Sequence, residues 1–209
     1  MRAQRDPREA FLTALASQIT DARVLEAFAA VDRSIFVLPE HAEDAWRNDP
    51  LPIGKHQTIS QPMLVATMCE LLRIGGHERV LDVGTGSGYH AALLGRLGGR
   101  VISIERHASL AERARRNLDA AGSDNVTVVV GDGSRGYSAD APYDAINVAA
   151  AAPGRARERL ARELAKGGRM VAPTAGGDQR LVLLRRSSQD LLETDHGEVR
   201  FVPLVDEGE

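Results

Sequence analysis

One short stretch constrains the fold of this chain more than any other. An apolar run, Val80–Val83, is followed by three glycines at alternate positions and then by a helical pattern from Tyr89. The run of valine and leucine is typical of a strand buried on both faces. Glycine allows a sharp turn and lets a ligand approach the backbone closely. The stretch therefore predicts the strand, turn and helix of a nucleotide-type cofactor loop. The three glycines are Gly84, Gly86 and Gly88.

The spacing within this loop favours S-adenosylmethionine (AdoMet) over a dinucleotide. The pattern Gly-x-Gly-x-Gly is one residue tighter than the Gly-x-Gly-x-x-Gly of NAD-binding proteins. Asp82 lies two residues before the first glycine. Its negative charge would repel a pyrophosphate but suits a ligand with an ammonium group, and AdoMet carries an ammonium, a sulfonium and no phosphate. A glycine-rich turn without a ligand is the alternative interpretation.

Length and charge exclude several classes of protein. We expect one domain over residues 1–209, with N-terminal helices and a substrate-side segment in residues 1–78 and the AdoMet-binding core in residues 79–209. The net charge of -3 lacks the basic footprint of a nucleic-acid-binding protein. No apolar run approaches the ~18 residues of a membrane span. The single cysteine, Cys69, excludes an intramolecular disulfide, fits a reducing cytoplasm and is predicted to be a small buried hydrophobic residue.

The N-terminal segment contains clear helix signals and one irregular stretch. Asp6 followed by Pro7 is typical of a helix start, and Asp21 predicts a second N-cap. Two prolines and a glycine in residues 49–54 argue against regular structure there. Residues 63–72 are apolar nearly all round, which predicts a helix buried beneath the sheet.

From Arg79 onward, strand and helix patterns alternate. This alternation predicts an α/β fold with a doubly wound, mostly parallel, Rossmann-like sheet and helices on both faces. The last two predicted strands, Leu181–Arg185 and Val199–Val202, have no helix between them and should form an antiparallel pair. The predicted parallel strands are residues 79–83, 100–105, 126–130, 143–148 and 169–172, and the helices between them cover residues 89–97, 110–121 and 154–164.

Acidic residues at two strand ends complete a predicted cofactor site. Ligands of such sheets bind at the carboxyl ends of the strands. Glu105 lies about 20 residues past the glycines, where an acid accepts hydrogen bonds from ribose hydroxyls. Asp132 follows the next strand and could accept a hydrogen bond from an adenine amino group. Either acid alone could equally be a helix cap or a solvated turn. The predicted cofactor residues are Asp82, Gly84, Thr85, Gly86, Ser87, Gly88, Glu105, Arg106, Asp132 and Gly133.

From Val31 to its C-terminus, the chain resembles the protein-L-isoaspartate O-methyltransferase family. Two blocks are specific to that family: Thr58-Ile59-Ser60-Gln61-Pro62, and the tail Val199-Arg200-Phe201-Val202-Pro203. The glycine loop is common to many methyltransferases. Further matching segments are residues 51–54, 103–106, 131–133 and 141–146.

The resemblance implies methyl transfer from AdoMet to the free α-carboxylate of an isoaspartyl residue in a damaged protein. The ester then closes to a succinimide without enzyme help, and hydrolysis returns some normal aspartate. Ser60 is implied as the catalytic residue, whose hydroxyl orients the substrate carboxylate; a helix-capping role near Pro62 is the alternative. Isoaspartyl proteins and peptides are the implied partners. The substrate-binding residues are predicted to be Thr58, Ile59, Val199, Phe201 and Val202.

The residues available fit a reaction without a general base. A carboxylate is ionised at neutral pH, so catalysis should depend on alignment and exclusion of water. No metal is expected, because the six histidines lack metal-ligand spacing. His56 is predicted to be a solvent-exposed loop residue. We further expect a cytoplasmic monomer that binds neither nucleic acid nor membrane.

Three other functions use some of the same features. A related O-methyltransferase could modify an aspartate of one dedicated peptide in natural-product maturation. An NAD-linked oxidoreductase is disfavoured by the tight glycine spacing and by Asp82. A non-catalytic AdoMet-binding module is disfavoured by the intact block around Ser60, since a pure binding protein has no use for a substrate wall.

Overall fold

A computed structural model describes residues 6–188 and 190–206 of the chain. The helices are α1 (Pro7–Ala16), α2 (Ala22–Ala30), α3 (Pro62–Leu72), α4 (Tyr89–Leu97), α5 (Ala108–Ala120) and α6 (Gly154–Arg162). The strands are β1 (Leu51–Gly54), β2 (Gln57–Ile59), β3 (Arg79–Val83), β4 (Arg100–Glu105), β5 (Val126–Val130), β6 (Tyr143–Val148), β7 (Leu164–Pro173), β8 (Arg180–Arg186) and β9 (Leu191–Glu198).

Seven strands form one sheet in the order β5-β4-β3-β6-β7-β8-β9. The five strands from β5 to β7 are parallel, and β8 and β9 are antiparallel to their neighbours. The doubly wound, mostly parallel sheet with an antiparallel C-terminal part is therefore confirmed. Strand order reverses between β3 and β6, and ligands of such sheets bind at the crevice where this reversal occurs.

The two faces of the sheet bury two hydrophobic clusters. Alternation along β3 sends Val80 to one face and Leu81 and Val83 to the other. The Val80 face is covered by apolar side chains of α1 to α5, and the opposite face is covered by α6, which contributes Leu160. Residues on both sides of position 79 thus share one core cluster, so the N-terminal helices pack directly on the sheet.

The N-terminal helix signals are confirmed. Asp6 caps α1 by accepting a hydrogen bond from the backbone N–H of Arg8 at 2.9 Å. Asp21 caps α2 in the same way, at 2.9 Å from the N–H of Arg23. Cys69 is fully buried on α3, as predicted. The longest helix among the described residues, α5, has 13 residues, and no described helix is long and apolar enough to cross a membrane.

The prediction of irregular structure for residues 49–54 is wrong for the last four of these residues. Leu51–Gly54 pairs with Gln57–Ile59 as a short antiparallel hairpin. Its turn residues, Lys55 and His56, both have positive φ, as tight hairpin turns require. Prolines are tolerated because this two-stranded hairpin consists only of edges, where a missing N–H costs little.

The first strand of the predicted C-terminal pair, Leu181–Arg185, is confirmed as β8, but the second strand is placed wrongly. Residues 199–202 are not a strand; the last strand is the preceding polar segment, β9. Every residue of β9 is at least partly exposed, so it lacks the alternation that marks a half-buried strand. Backbone pairing with β8 and the Arg180–Asp195 ion pair at 2.9 Å hold it. The helix predicted for residues 154–164 ends at Arg162, and β7 begins at Leu164.

Candidate active site

The glycine loop joins the end of β3 to the start of α4. Its glycines have φ angles of 97°, 55° and 93°, values that side-chain-bearing residues rarely adopt. The Gly84 and Thr85 N–H groups both donate to the Ile104 carbonyl, at 2.9 and 3.1 Å, which ties the loop to β4. A Cβ at Gly88 would lie 3.3 Å from the Ala114 carbonyl oxygen, so glycine also permits close packing of α4 on α5.

Below the loop lies a cavity at the carboxyl ends of the parallel strands, here called the cofactor cavity. Its wall includes Gly84, Gly86, Glu105, Arg106, Asp132 and Gly133. Glu105 is 6% exposed, and its two carboxylate oxygens accept hydrogen bonds from the Gly86 and His107 N–H groups, each at 2.9 Å. Each oxygen keeps a second acceptor position, which suits a ligand that presents hydroxyl donors.

Asp132 extends the acidic wall from the end of β5. Its oxygens accept from the Ser134 N–H at 2.9 Å and from Arg135 Nε at 3.1 Å. A Cβ at Gly133 would lie 2.6 Å from Val83 Cγ1, so only glycine fits at this place in the wall. Two carboxylates and the single arginine Arg106 line the cavity. The wall therefore fits a phosphate-free adenosine ligand such as AdoMet and does not fit a pyrophosphate.

A second, smaller space lies between the glycine loop and the substrate-side segment, and we call it the inner cavity. Its wall includes Thr58, Ser60, Thr85, Ser87, His90 and Ala149. Thr58 and Ala149 also line the cofactor cavity, so the two spaces adjoin. Ile59 lines the inner cavity but is 4% exposed and packs in the core.

Asp82 lies beneath the loop and is fully buried, so it does not form the cavity wall. Its carboxylate accepts hydrogen bonds from Ser103 Oγ at 2.6 Å and from Asn147 Nδ2 at 2.7 Å. Ser103 Oγ is also 2.5 Å from the Thr85 hydroxyl, which places one end of this chain in the glycine loop. The asparagine amide nitrogen is also 3.1 Å from His90 Nδ1.

Burial shifts the pKa values of Asp82 and His90 in opposite directions. Burial raises the pKa of Asp82 to about 6, against the hydrogen bonds from Ser103 and Asn147, which lower it. Burial lowers the pKa of His90 to about 3. The histidine is therefore neutral at physiological pH, with Nδ1 as the acceptor from Asn147 and Nε2 facing Cys69 Sγ at 3.5 Å.

Ser60 stands between the inner cavity and a larger outer cavity. The outer cavity is lined by Pro50, Thr58, Ser60, Gln61, Leu64, Ala149 and residues 198–202. The N-cap of α3 is Gln61, without a side-chain hydrogen bond, so Ser60 does not cap that helix. Within the described parts of the chain, the Ser60 hydroxyl makes no hydrogen bond. It is half-buried and available to a ligand.

The structure brings most of the predicted site residues together. Gly84, Gly86, Glu105, Arg106, Asp132 and Gly133 line the cofactor cavity, Thr85 and Ser87 line the inner cavity, and Val199, Phe201 and Val202 line the outer cavity. Gly88 begins α4, and Asp82 supports the loop from below. His56 is exposed at the hairpin turn, as predicted. Among the residues that the structure describes, no group of three or more His, Cys, Asp and Glu could hold a metal.

The tail after β9 is held by a side chain rather than by a strand. Gln179 brackets Phe201: its Oε1 accepts from the Phe201 N–H at 2.7 Å, and its Nε2 donates to the Phe201 carbonyl at 3.1 Å. The Val202 carbonyl accepts from the Ala151 N–H at 2.8 Å. These contacts fix the tail beside the outer cavity.

Sequence reasoning missed Arg33, which organises the substrate side. This arginine is fully buried, and its guanidinium donates to the carbonyls of Ala45, Arg47, Asp49 and Ser60 at 2.5–3.2 Å. Desolvation lowers its pKa to about 10, against the neighbouring Tyr89 and Asp49, which raise it. No local sequence signal distinguishes such a residue from a solvated arginine. Ala149, which lines all three cavities, was also missed, but it could have been found because it directly follows the parallel strand β6.

The opposite pKa shifts of Asp82 and His90 predict opposite effects on stability. The folded chain holds the Asp82 proton more tightly than the unfolded chain, where the pKa is 3.8, so this residue lowers the free energy of unfolding as pH rises from about 4 to 6. Below pH 6.5 the unfolded chain protonates His90 while the folded chain does not, so this residue raises the free energy of unfolding with pH.

Relative to wild type, Asp82→Asn should therefore gain stability as pH rises from about 4 to 6, by up to about 3 kcal/mol. His90→Gln should lose stability relative to wild type over the same interval. Denaturant unfolding at a series of pH values measures both differences. If the stability difference from wild type changes with pH in the same direction for both variants, the assigned pKa shifts are wrong.

Arg33→Lys should destabilise the chain by about 2–3 kcal/mol. Lysine keeps the charge but lacks the planar fork that reaches several carbonyls at once, so buried acceptors lose their donors. Arg47→Lys is the control, because the Arg47 side chain pairs with no described residue except the exposed Asp44 and Asp49, and the change should cost less than about 1 kcal/mol. Urea unfolding compares the two, and equal losses would show that Arg33 has no special role.

Comparison with known proteins agrees with this geometry. The sequence model of the protein-L-isoaspartate(D-aspartate) O-methyltransferase (PCMT) family matches residues 8–209. A protein-L-isoaspartate O-methyltransferase from Methanoregula boonei is 48% identical over 188 residues, which cover 90% of this chain and 86% of that protein. Protein-L-isoaspartate O-methyltransferase 2 from Marinobacter nauticus is 50% identical over 193 residues, covering 90% of this chain and 87% of that protein.

Solved structures give the same answer for the fold. A protein-L-isoaspartate O-methyltransferase structure superposes with a TM-score of 0.85 at 27% identity, covering 95% of this chain and 66% of that one. A Plasmodium falciparum structure described as a β-aspartate methyltransferase in complex with S-adenosyl-L-homocysteine has a TM-score of 0.80 at 23% identity, covering 96% and 99%. The chain therefore belongs to the protein-L-isoaspartate(D-aspartate) O-methyltransferase family.

Proposed function

We propose that this enzyme transfers a methyl group from AdoMet to the α-carboxylate of L-isoaspartyl residues in proteins and peptides. The observation that carries the proposal is the inner cavity, which connects the glycine loop to the Ser60 hydroxyl. A cofactor held on one side and a carboxylate held on the other would meet there. Family membership supplies the identity of both reactants.

The cofactor side is built to hold a neutral adenosine and a cationic methionine end. Glu105 would accept hydrogen bonds from the ribose hydroxyls and Asp132 from the adenine amino group. Asp82, buried under the loop, would add a negative charge that favours the ammonium and sulfonium groups. Bound AdoMet supplies a methyl group attached to a positively charged sulfur. After the methyl group is transferred, the sulfur remains in the product as a neutral thioether.

The residues around Ser60 support a reaction without a general base. The titratable side chains in the inner cavity wall are Tyr89 and His90. Burial raises the pKa of Tyr89 well above its usual value and lowers that of His90 to about 3, so neither is matched to accept a proton at neutral pH. The isoaspartyl carboxylate is already ionised under these conditions. Its oxygen can attack directly once it is aligned.

Alignment is the task of Ser60 and of the tail. The hydroxyl would donate a hydrogen bond to one carboxylate oxygen and direct the other oxygen toward the methyl group. The Arg33 guanidinium holds the Ser60 carbonyl at 3.2 Å, so the serine backbone is anchored from the core side. Val199, Phe201 and Val202 would contact the substrate backbone along the outer cavity, with Thr58 and Ile59 as the adjoining wall.

The alternatives are less well supported. Relatives near half identity, covering most of both chains, are named for isoaspartate, which does not favour a dedicated natural-product peptide. The acidic wall of the cofactor cavity argues against NAD. A pure AdoMet-binding module would not need, at the junction of two cavities, a serine hydroxyl that bonds to none of the described residues.

We also infer a single-domain, cytoplasmic monomer. One domain is supported by the core cluster that residues on both sides of position 79 share. The cytoplasm is supported by the single cysteine, which is buried. A monomer is supported by the separation of the exposed large apolar side chains among the described residues: Val130 lies on one edge strand, Leu191 and Leu192 lie on the opposite one, and Val205 lies at the cofactor cavity.

Ser60→Ala should lower kcat/KM on an isoaspartyl peptide by roughly 10- to 150-fold, the equivalent of one hydrogen bond to a charged group. AdoMet affinity and stability should stay close to wild type, because Ser60 caps no helix. Ser17→Ala, at the exposed end of α1, is the matched control and should keep full activity. Steady-state kinetics with isoaspartyl and aspartyl versions of one peptide test both the role and the substrate; full activity in Ser60→Ala would exclude the role.

Glu105→Gln should weaken AdoMet binding by about 1–3 kcal/mol, because a charged acceptor becomes a neutral one. Glu112→Gln is the control, since Glu112 is an exposed partner of Arg116 on α5. Titration calorimetry with AdoMet and with S-adenosylhomocysteine gives the affinity without turnover. Unchanged affinity in Glu105→Gln would refute the ribose assignment.

A further inference from the structure

The outer cavity carries an unusual distribution of charge. Of the described residues in its wall, two are charged, Glu198 and Arg200. Glu198 already has a cationic partner, because Arg180 Nη1 lies 3.4 Å from its carboxylate. Arg200 forms no ion pair or hydrogen bond with any described residue. Arg180 also pairs with Asp195 at 2.9 Å, so it is shared between two carboxylates. Arg200 is therefore the charged side chain of the described wall that has no partner of its own.

The backbone on both sides of Arg200 is fixed. The Val199 N–H donates to the Gln179 carbonyl at 3.1 Å, and the Gln179 side chain brackets Phe201. Val199 and Phe201 are half-buried against the core, whereas Arg200 between them is exposed. Clamping of its two neighbours therefore holds the arginine at the edge of the cavity while its side chain remains free to reach a ligand.

We infer that Arg200 is a specificity-determining residue that favours isoaspartyl sites flanked by an acidic side chain. The inference rests on the proposed function, since it concerns the peptide that fills the outer cavity. The methyl-accepting carboxylate is common to every substrate, so only a flanking side chain can produce a difference between substrates. A guanidinium pairs well with a carboxylate and repels a flanking lysine or arginine.

The expected size of the effect follows from exposure. An ion pair in a solvent-exposed cavity changes binding by about two- to fivefold, and salt weakens it. Selectivity should therefore appear in kcat/KM at low ionic strength and shrink as salt is added. Turnover at saturating peptide should change little, because Arg200 is assigned to binding of the flanking residue and not to methyl transfer.

The test uses isoaspartyl peptides that differ at one position, which is occupied by Glu, Gln or Lys. In one set of peptides this position directly precedes the isoaspartate, and in the other set it directly follows it. Wild type should rank them Glu above Gln above Lys on at least one side. Arg200→Ala should abolish the ranking, Arg200→Lys should keep it and Arg200→Glu should reverse it. Arg185→Ala removes the same net charge from an exposed position outside the three cavities and should leave the ranking intact.

Three results would overturn the inference. If the wild-type enzyme has the same kcat/KM on the Glu and Lys peptides, there is no charge preference to assign to Arg200. Equal losses on all peptides in Arg200→Ala would mean that the arginine binds a group common to every substrate. A weakened ranking in Arg185→Ala would indicate a general effect of net charge. Inactivity of wild type on every isoaspartyl peptide would instead refute the proposed function, and this inference with it.

Discussion

The site depends on one buried carboxylate. Asp82 on β3 receives hydrogen bonds from Ser103 on β4 and Asn147 on β6, so three adjacent strands are joined directly beneath the glycine loop. Burying a charge is costly unless hydrogen bonds replace its water, and two short ones do so here. Because Ser103 also contacts Thr85, the same network sets the position of the loop. Thr85 and His90, at the two ends of this network, both line the inner cavity.

The substrate side depends on a second buried charge of opposite sign. Arg33 gathers four carbonyls from a segment without regular structure and from Ser60, and its guanidinium lies 5.8 Å from the Tyr89 ring, next to the last glycine of the loop. The buried arginine thus supports the Ser60 side of the inner cavity, and the buried aspartate supports the glycine-loop side. Within the described residues the Ser60 hydroxyl has no partner of its own, so it can orient a ligand from a supported backbone.

Much of the fold could be predicted because its signals are local. Buried parallel strands have a characteristic apolar composition, and the glycine loop needs residues that tolerate positive φ, so β3 to β6 were found with their observed bounds. The strand ends then predicted Glu105 and Asp132. The failures have the opposite cause: β9 buries no side chain and is stabilised by pairing with β8, and the β1–β2 hairpin depends on long-range burial of Leu51 and Ile59. Neither leaves a periodic pattern.

The sequence by itself determined the fold class, the cofactor loop and the block that contains Ser60, because each is encoded by residues that are neighbours in the chain. Only the tertiary structure decided how these parts meet. It showed that Asp82 supports the loop rather than lining the cavity, that Ser60 caps no helix, and that Arg33 links the two sides. It also left Arg200 as the charged side chain without an ion-pair partner among the described residues of the outer cavity. Burial and partnership are relations between distant residues, and they exist only once the chain is folded.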